Sequence, residues 1–523
     1  MIELDGEHLT IEGVVGASRH GEQVAPLSDA GAARMERGYQ WVRDAVADDR
    51  RTIYGVNTGF GGLAQTRIPA DQTGKLSRNV IVKCVAGVGS PLAAETVRAM
   101  MLVRANSLAR GVSGVRPALA ETLIAMLNAG VTPWVPAKGS LGASGDLAPL
   151  ASIAAVVTRD VEDGDGGYSG RAWFGGELLS GAEAMQRAGI PRLVPEAKDG
   201  LGLTNGTAMM VGIGALALHD SERLLRHAEI AAALSMEALM AKSDALHPAL
   251  HEANGQPGQI RTAANLRGLL DGSRLIDADS DRVQDAYSVR CTPQVLGPIH
   301  DVLAFLRGRF EAAINAASDN PLIFPDLPSG GRALQGGNFH GQGPAMWLDF
   351  LGIAIAEAAS IAERRVFRLL TPELSGGLPP MLIANPGLNS GLMVAQYTAA
   401  ALVSDNKTLA HPDSVDSIPS SANQEDHVSM GANGARHCRE IVDNVRFAVA
   451  IELLAAAQGV DLRDDGPARL APATAAVHAA IRERVTLVKA DRELTPDIEA
   501  LADAIDSGAL LEAAGQALSS ADA

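Results

Sequence analysis

Residues 209–241 read MMVGIGALALHDSERLLRHAEIAAALSMEALMA and contain no proline and only two glycines. Residues 344–370 and 429–457 have a similar length and are also rich in Ala, Leu and Ile. Ala and Leu favour helix over strand, and all three stretches exceed the average globular helix in length. They predict a mainly α fold built as a long-helix bundle.

Shorter helical patterns lie nearer the start of the chain, at residues 93–110 and 117–129. The second of them has Pro117 in its first turn, where proline is tolerated. Long helices that are apolar on several faces need several neighbours to cover them. We therefore expect the subunits to associate.

The first 50 residues are polar and mixed, and the glycine- and aspartate-rich stretch 160–170 predicts an exposed loop. We predict a small mixed N-terminal region at 1–200 and the helical bundle at 201–523. A single domain over the whole length is the alternative, because no composition change marks the boundary.

The composition is that of a globular protein, with 47% hydrophobic and 20% charged residues among 523. A net charge of −17 opposes binding to nucleic acid or to an anionic membrane surface. The cysteines are odd in number and far apart, which predicts neither a disulfide framework nor a zinc site; they are Cys84, Cys291 and Cys438. We expect a cytoplasmic protein without a metal ion.

The sequence also argues against a membrane protein. It begins without the basic start and apolar core of a secretory signal. Its longest apolar stretch, 347–361, is interrupted by Asp349 and Glu357. We expect this stretch to be too short and too charged to span a bilayer.

Residues 139–149 read Gly-Ser-Leu-Gly-Ala-Ser-Gly-Asp-Leu-Ala-Pro and contain the triplet Ala143-Ser144-Gly145. The nitrogen of Gly145, which has no Cβ in the way, can attack the carbonyl carbon of Ala143. Loss of two waters, one of them from the Ser144 hydroxyl, leaves a five-membered ring with an electrophilic methylidene. Ordinary side chains supply no electrophile of this kind. The other interpretation is a glycine-rich turn that ends in a helix N-cap at Asp146.

This run and six further blocks resemble the histidine/phenylalanine/tyrosine ammonia-lyase family over about residues 54–495. The blocks are Tyr54-Gly-Val-Asn-Thr-Gly-Phe-Gly, Leu203-Thr-Asn-Gly-Thr, Val283-Gln-Asp-Ala-Tyr-Ser-Val-Arg-Cys, Ser318-Asp-Asn-Pro-Leu-Ile-Phe, Gly337-Asn-Phe-His-Gly-Gln and Ser421-Ala-Asn-Gln-Glu-Asp-His-Val-Ser-Met-Gly. The resemblance implies the long-helix ammonia-lyase (fumarase/aspartase-like) fold and a homotetramer with active sites built from more than one subunit. It also implies the prosthetic group 4-methylidene-imidazol-5-one (MIO), formed autocatalytically from Ala143, Ser144 and Gly145 with no external cofactor.

By this resemblance Tyr54 is the base that takes the β-proton of the substrate. Phe339 matches an aromatic residue that packs beside the prosthetic group. Without the other blocks, Tyr54 would be interpreted as a packing anchor of a glycine-rich loop and Phe339 as an ordinary core residue.

The resemblance assigns Arg290 to the substrate carboxylate, which a guanidinium can bind through two parallel hydrogen bonds. Gln284, Tyr287 and Arg290 follow one another at intervals of three, so on a helix they would share a face. In the family, the residues that match Asn205, Gln284, Tyr287 and Arg290 line the site around the amino acid and the MIO ring. Asn205 would also stabilise charge on that ring. Taken alone, Arg290 is equally compatible with a surface ion pair.

The segment Asn423-Gln424-Glu425-Asp426-His427 resembles the histidine-type version of its block. There the residue that matches Glu425 addresses the imidazole of the substrate, and we place Gln424 beside it in the binding site. This predicts histidine, or a related imidazole or polar aryl amino acid, as the substrate.

Lys83-Cys84 departs from this pattern, because histidine enzymes usually have Ser-His there, tyrosine enzymes His-Leu and phenylalanine enzymes Phe-Leu. We predict that both residues bind the substrate, with Lys83 paired to Glu425 or to an acidic group on the substrate. The alternative is that Lys83 points to solvent and Cys84 is a small apolar filler. Ala208 is a second departure, since histidine enzymes often have a larger polar residue there.

The predicted function is that of an MIO-dependent ammonia-lyase, which converts an aromatic L-amino acid to its trans-2,3-unsaturated acid, of the urocanate type, and ammonia. One alternative keeps the chemistry but returns ammonia to the β-carbon, as a 2,3-aminomutase does. Others are a tyrosine or phenylalanine ammonia-lyase and, from a different class, a catalytically inactive helical scaffold.

Overall fold

The computed structural model describes residues 1–48, 51–162, 166–279 and 281–521. These residues form 21 α-helices and seven short strands, which confirms the mainly α fold. Residues 163–165, inside the loop predicted at 160–170, lie outside the described residues.

The helices are α1 (Ile11–Arg19), α2 (Asp29–Ala47), α3 (Thr73–Cys84), α4 (Ala94–Ala109), α5 (Pro117–Ala129), α6 (Leu147–Val157), α7 (Gly181–Arg187), α8 (Asp199–Thr204), α9 (Ala208–Ala238), α10 (Pro248–Asn254), α11 (Pro257–Leu270), α12 (Tyr287–Arg290), α13 (Thr292–Ile314), α14 (Gln342–Leu370), α15 (Pro372–Ser375), α16 (Met393–Leu409), α17 (Gly431–Asp461), α18 (Gly466–Arg469), α19 (Pro472–Arg484), α20 (Thr495–Ser507) and α21 (Ala509–Ala521). The three long stretches predicted from sequence correspond to α9, α14 and α17, and the two shorter patterns to α4 and α5. All five helix predictions are thus confirmed. In α5, Pro117 occupies the first turn and Gly130 ends the helix in the left-handed conformation, with φ +79°.

The described strands form three small antiparallel sheets. Their bounds are β1 (Val88–Pro91), β2 (Thr132–Pro133), β3 (Pro136–Lys138), β4 (Arg171–Phe174), β5 (Glu177–Ser180), β6 (Leu322–Phe324) and β7 (Arg332–Leu334). The sheet orders are β1-β3, β2-β4-β5 and β6-β7. In β4-β5, Trp173 lies opposite Leu178 in the register. With two to four residues each, these strands contribute little to the fold beside the helices.

The chain divides into two compact units. The first comprises Met1–His219, Arg307–Asp349 and Pro412–Arg436, and the second comprises Asp220–Leu306, Phe350–His411 and His437–Ala523. All described strands belong to the first unit. The predicted domain boundary at residue 200 stays a prediction. The two units are defined by which segments contact one another, whereas a domain is a part of the chain that folds independently.

Each unit has a core of aliphatic side chains, in keeping with the low aromatic content. In the first unit, 13 of the 16 residues of α4 are buried, among them Met100, Met101 and Leu102. In the second unit, Leu453 and Leu454 of α17 have no exposed surface. Burial on several sides fits the many aliphatic residues of these helices.

The apolar stretch 347–361 is part of α14, which runs for 29 residues and includes Asp349 and Glu357. Among the described residues it is the one helix whose length and composition would allow it to cross a membrane. Half of its most apolar window is buried inside the protein, and its Arg365 forms a fully buried ion pair with Glu452. These are the features of a core helix.

Candidate active site

The triplet Ala143-Ser144-Gly145 lies in a tight turn between β3 and α6 of the first unit. Gly145 has a φ of +70°, in the left-handed region that favours glycine. A Cβ at this position would lie 2.1 Å from the carbonyl oxygen of Gly206, far closer than a carbon atom can approach an oxygen without a bond. Only glycine therefore allows the turn to pack against Gly206.

Two neighbouring segments hold this turn through backbone hydrogen bonds. The Met430 amide donates to the Leu141 carbonyl at 2.8 Å, and the Gly341 amide donates to the Gly142 carbonyl at 3.1 Å. Both donors belong to sequence blocks quoted above. The blocks are thus brought together around the triplet although they are far apart in the chain.

Asp146 caps a helix, but not the helix that follows it. Its side chain makes no capping bond to α6; instead, Oδ2 accepts hydrogen bonds from the amides of Met209 (2.8 Å) and Met210 (3.1 Å) in the first turn of α9. Its own amide donates to the Gly206 carbonyl at 2.7 Å. Burial raises the pKa of Asp146 to about 7, and the two amide donors only partly oppose this shift.

A cavity of about 80 Å³ in the first unit opens beside the triplet. Six predicted site residues line it: Tyr54, Lys83, Cys84, Ser144, Asn205 and Glu425. The remaining lining residues were not predicted: Phe60, Gly61, Val80, Leu147, Leu201 and Ser421. A larger cleft of about 630 Å³, whose walls include Lys75 and Arg78, contains no predicted site residue.

Tyr54 lies in a loop that its own polar residues keep in shape. The Ile53 amide donates to Asn57 Oδ1 at 2.7 Å, and Asn57 is buried. The Gly61 amide donates to the Tyr54 hydroxyl oxygen at 3.1 Å. The ring meets Phe60 edge-on, with 6.4 Å between the ring centroids. Tyr54 is therefore both packed and held at its oxygen.

Ser144 and Glu425 are joined directly. Ser144 Oγ donates a hydrogen bond of 3.3 Å to Glu425 Oε1, while Glu425 Oε2 accepts one of 2.6 Å from Ser420 Oγ. The carboxylate is thereby fixed between two hydroxyl groups at the wall of the cavity.

Lys83 and Cys84 end helix α3. The Lys83 ammonium lies 4.8 Å from the centroid of the Phe60 ring, within the range of a cation–π interaction. Among the described residues no carboxylate lies within ion-pair distance of it, so the predicted pairing with Glu425 is not made directly. Burial raises the pKa of the Cys84 thiol, Lys83 acts to lower it and Glu425 to raise it. Both charges therefore act on the Cys84 thiol.

Asn205 follows the last residue of α8 and is 5% exposed. Its Oδ1 is buried and has no hydrogen-bond partner among the described residues. An unsatisfied buried carbonyl of this kind costs roughly 1–3 kcal/mol. Asn205 lines the same cavity as Ser144, where this oxygen can accept a hydrogen bond from a bound donor.

Gln284, Tyr287 and Arg290 belong to the second unit. The Arg290 guanidinium lies 4.6 Å from the centroid of the Tyr287 ring, and its Nε donates to the Asp285 carbonyl at 2.9 Å. Tyr287 is 71% exposed. Tyr287 and Arg290 share a helix face as predicted, but α12 has only four residues and Gln284 precedes it in non-helical chain.

Phe339 and Gln424 belong to the first unit but do not line the 80 Å³ cavity. Phe339 is half-buried and Gln424 is exposed. Ala208, the second departure from the histidine pattern, is buried in the first turn of α9 and is also absent from the cavity wall. The roles assigned to Phe339 and Gln424 stay predictions.

Of the residues that sequence reasoning missed, four stood inside the sequence blocks given above: Phe60, Gly61, Leu147 and Ser421. Their proximity in sequence to Tyr54, Ser144 and Glu425 was the signal that could have found them. Val80 and Leu201 look like any core residue, because their place in the wall depends on how the helices pack. Among the described residues, no group of three or more His, Cys, Asp and Glu side chains could hold a metal ion.

The chain is similar to known proteins over most of its length. A sequence model of the family described as "Aromatic amino acid lyase" matches residues 9–483. The histidine ammonia-lyase of Symbiobacterium thermophilum is 50% identical over 509 residues, which are 97% of each chain. The crystal structure of histidine ammonia-lyase from Trypanosoma cruzi, 38% identical, superimposes with a TM-score of 0.88 over 99% of this chain and 95% of that one. Tyrosine aminomutase from Streptomyces globisporus, 35% identical, gives 0.90 over 98% of each.

Proposed function

Because the chain belongs to the aromatic amino acid lyase family, we propose that it removes ammonia from an L-amino acid whose side chain is an imidazole or a related polar ring. The product is the trans-2,3-unsaturated acid. Membership of this family makes the protein a carbon–nitrogen lyase. The observation that carries the choice of substrate is the fixed position of the Glu425 carboxylate, 3.3 Å from the Ser144 hydroxyl.

We propose MIO as the prosthetic group, formed autocatalytically from Ala143, Ser144 and Gly145 without an external cofactor. The close packing of Gly145 on Gly206 supports this assignment, as does the Asn205 side chain in the same cavity wall, whose NH2 group can donate to the ring carbonyl. When formed, the group supplies the electrophile that turns the substrate amine into a good leaving group. Asn205 would hold it from the cavity side.

The residues of the cavity divide the remaining work. Tyr54 takes the β-proton, for which a base must be positioned at hydrogen-bond distance. A neutral imidazole has one N–H donor and one acceptor nitrogen. Glu425 accepts the ring N–H, and the Lys83 ammonium donates to the other nitrogen. Cys84 lines the same cavity and contacts the ring.

The amino-acid end of the substrate needs a cation for its carboxylate, and Arg290 supplies it through its guanidinium. Gln284 and Tyr287 line the site around the amino acid, Phe339 packs beside the prosthetic group, and Gln424 supports the ring end beside Glu425. Val283 is 94% exposed and Tyr287 71% exposed in the second unit. Exposed apolar residues beside binding residues support a homotetramer in which more than one subunit builds each active site.

We place the protein in the cytoplasm, with a small amino acid as its ligand and neither nucleic acid nor membrane as a partner. Cys84, Cys291 and Cys438 form no disulfide with one another. Reduced thiols suit a reducing compartment, and the net charge of −17 repels polyanions.

A 2,3-aminomutase is the second candidate, and the TM-score of 0.90 to a tyrosine aminomutase supports it. Incubation of the purified protein with L-histidine, L-tyrosine and L-phenylalanine separates the candidates. Release of ammonia and urocanate from histidine is the expected result. A β-amino acid product would identify an aminomutase, and turnover of tyrosine or phenylalanine in preference to histidine would overturn the imidazole assignment. No product together with an intact mass that lacks the loss of two waters would identify an inactive scaffold.

A further inference from the structure

A fully buried ion pair lies in the second unit between Arg365 of α14 and Glu452 of α17, with both side chains 0% exposed. Arg365 Nη2 donates to Glu452 Oε2 at 2.9 Å, and Nε donates to Oε1. Ser235 Oγ donates to the same Oε1 at 2.8 Å. The carboxylate is thus well satisfied without water.

Arg365 has one terminal nitrogen left, and it reaches the segment that carries Tyr287 and Arg290. Nη1 donates to the Ser288 carbonyl at 3.3 Å and to Thr292 Oγ1 at 3.4 Å. The Thr292 hydroxyl in turn donates to the Val289 carbonyl at 2.9 Å. The buried pair is therefore continuous with the backbone of α12.

The orientation of the Arg290 guanidinium depends on that backbone. Its Nε is bound to the Asp285 carbonyl at 2.9 Å, and its plane lies against the Tyr287 ring, 4.6 Å from the centroid. The Asp285 carboxylate is itself held by the Lys242 amide at 2.6 Å. A shift of the turn between Asp285 and Ser288 would therefore redirect the guanidinium.

Stability alone does not account for the pair, because burying two charges costs as much as their attraction returns, and apolar residues of similar volume often serve as well. What apolar residues cannot do is donate to a carbonyl. Arginine can bind a carboxylate with one edge of its fork and still donate elsewhere.

We propose that Arg365 is a positioning residue for Arg290: through Ser288 and Thr292 it fixes the turn that aims the Arg290 guanidinium at the substrate carboxylate. The proposal rests on the proposed function, in which Arg290 binds that carboxylate. Groups that support a binding residue in this way determine how closely it meets its ligand.

The test compares two probes: the unsaturated acid that the wild-type enzyme releases from its best substrate, and the neutral primary amide of that acid. For L-histidine these are trans-urocanate and urocanamide. Dissociation constants are measured by titration calorimetry. Removing both charges with Arg365→Met and Glu452→Met avoids leaving one charge buried and unpaired. We expect the double variant to bind the acid about ten- to a hundredfold more weakly and the amide as tightly as wild type does.

Two further variants keep the test decisive. Arg365→Lys retains the charge opposite Glu452 but loses the fork, so the acid should again be selectively weakened even if the double variant does not fold. Arg482→Met removes another ion pair of the second unit, with Asp461, and the hydrogen bonds of Arg482 run to Asp461 and Val485 rather than to α12. This control should leave both dissociation constants unchanged.

Unchanged acid affinity in both Arg365 variants would overturn the proposal, as would an equal loss for acid and amide. Arg290→Met separates this failure from a failure of the proposed function. The preference for the acid is its tighter binding relative to the amide. If Arg290→Met removes this preference and the Arg365 variants do not, only the positioning role is wrong. If Arg290→Met itself leaves the preference intact, Arg290 does not bind the carboxylate and both assignments fall.

Discussion

The Ser144 hydroxyl and the Glu425 carboxylate are 3.3 Å apart and joined by a hydrogen bond, although 281 positions separate the two residues in the chain. Glu425 is fixed from its other oxygen by Ser420. The precursor of the proposed electrophile and the acid proposed to recognise the substrate ring are thus held in one small cavity. Under the proposed function the amine meets the group formed from Ser144 and the ring meets Glu425, so a substrate must reach both groups at the same time.

Ser144→Ala removes the hydroxyl that the proposed prosthetic group must lose as water. We expect a folded protein whose turnover is lower by several orders of magnitude, since the electrophile supplies most of the barrier reduction. Circular dichroism checks the fold, and intact mass should show two waters lost in wild type and none in the variant. Near-normal turnover of Ser144→Ala would refute the proposed chemistry.

Tyr54→Phe removes the proposed base and leaves the ring in place against Phe60. We expect kcat to collapse while the inhibition constant of the product acid changes little, because the hydroxyl acts in the proton transfer rather than in binding. Steady-state kinetics with product inhibition measures both quantities.

Tyr39→Phe is the matched control for this change. Tyr39 is a buried tyrosine of the first unit whose hydroxyl donates to Glu196, and it does not line the cavity. Its loss should cost about 1 kcal/mol of stability and leave kcat unchanged. Equal kcat values for Tyr54→Phe and Tyr39→Phe would show that Tyr54 is not the base.

Arg290→Lys retains a positive charge but loses the planar fork that binds a carboxylate through two bonds. Lysine also cannot stack on Tyr287 as the guanidinium does at 4.6 Å. We expect KM to rise and kcat to fall together, in contrast to Tyr54→Phe. Unchanged KM and kcat would place Arg290 outside the substrate-binding site.

Asp146 should make stability depend on pH. Its pKa is raised to about 7 in the folded protein, against about 3.9 in the unfolded chain. Between these values the unfolded state has released a proton that the folded state keeps, so the contribution of Asp146 to stability falls as pH rises from about 4 to about 7. Above pH 7 the contribution is constant.

Asp146→Asn keeps a side-chain oxygen for the amides of Met209 and Met210 but cannot ionise. The difference in unfolding free energy between wild type and Asp146→Asn, measured by urea denaturation, should therefore shift against wild type as pH rises from 4 to 7. A difference that stays constant over this range would mean that Asp146 has an ordinary pKa.

The parts of the structure that could be predicted are those that depend on local pattern or on complete blocks. The Ala- and Leu-rich stretches sufficed to predict α9, α14 and α17. The resemblance of their two sequence blocks to one family sufficed to place Tyr54 and Ser144 in the same site. Pairwise features were out of reach. The rule that an aspartate caps the nearest helix placed Asp146 on α6 rather than on α9, and no periodicity marks Arg365 as the partner of Glu452 from another helix.

Glu425 and Lys83 line the same cavity with opposite charges. Glu425→Gln cannot accept the ring N–H as a carboxylate does, so we expect a large loss of kcat/KM on the imidazole substrate. L-Phenylalanine, whose ring offers neither donor nor acceptor, should be a poorer substrate than L-histidine by about 10⁴-fold or more. If phenylalanine is turned over best, the assignment of Glu425 to a ring N–H is wrong.

Lys83→Met tests the other half of this pair, with Lys75→Met as control, because Lys75 is an exposed lysine on the same helix that does not line the cavity. We expect only the Lys83 variant to lose activity, since it alone removes a donor to the ring.

Lys83→Ser combined with Cys84→His installs the pair that histidine enzymes usually have. If wild type handles L-histidine poorly, this double change should raise kcat/KM for it. If wild type handles L-histidine well, Lys83 already serves as the donor and the double change should bring no gain. Full activity of Lys83→Met would instead mean that the ammonium rests on Phe60 without touching the substrate, and that Glu425 alone selects the ring.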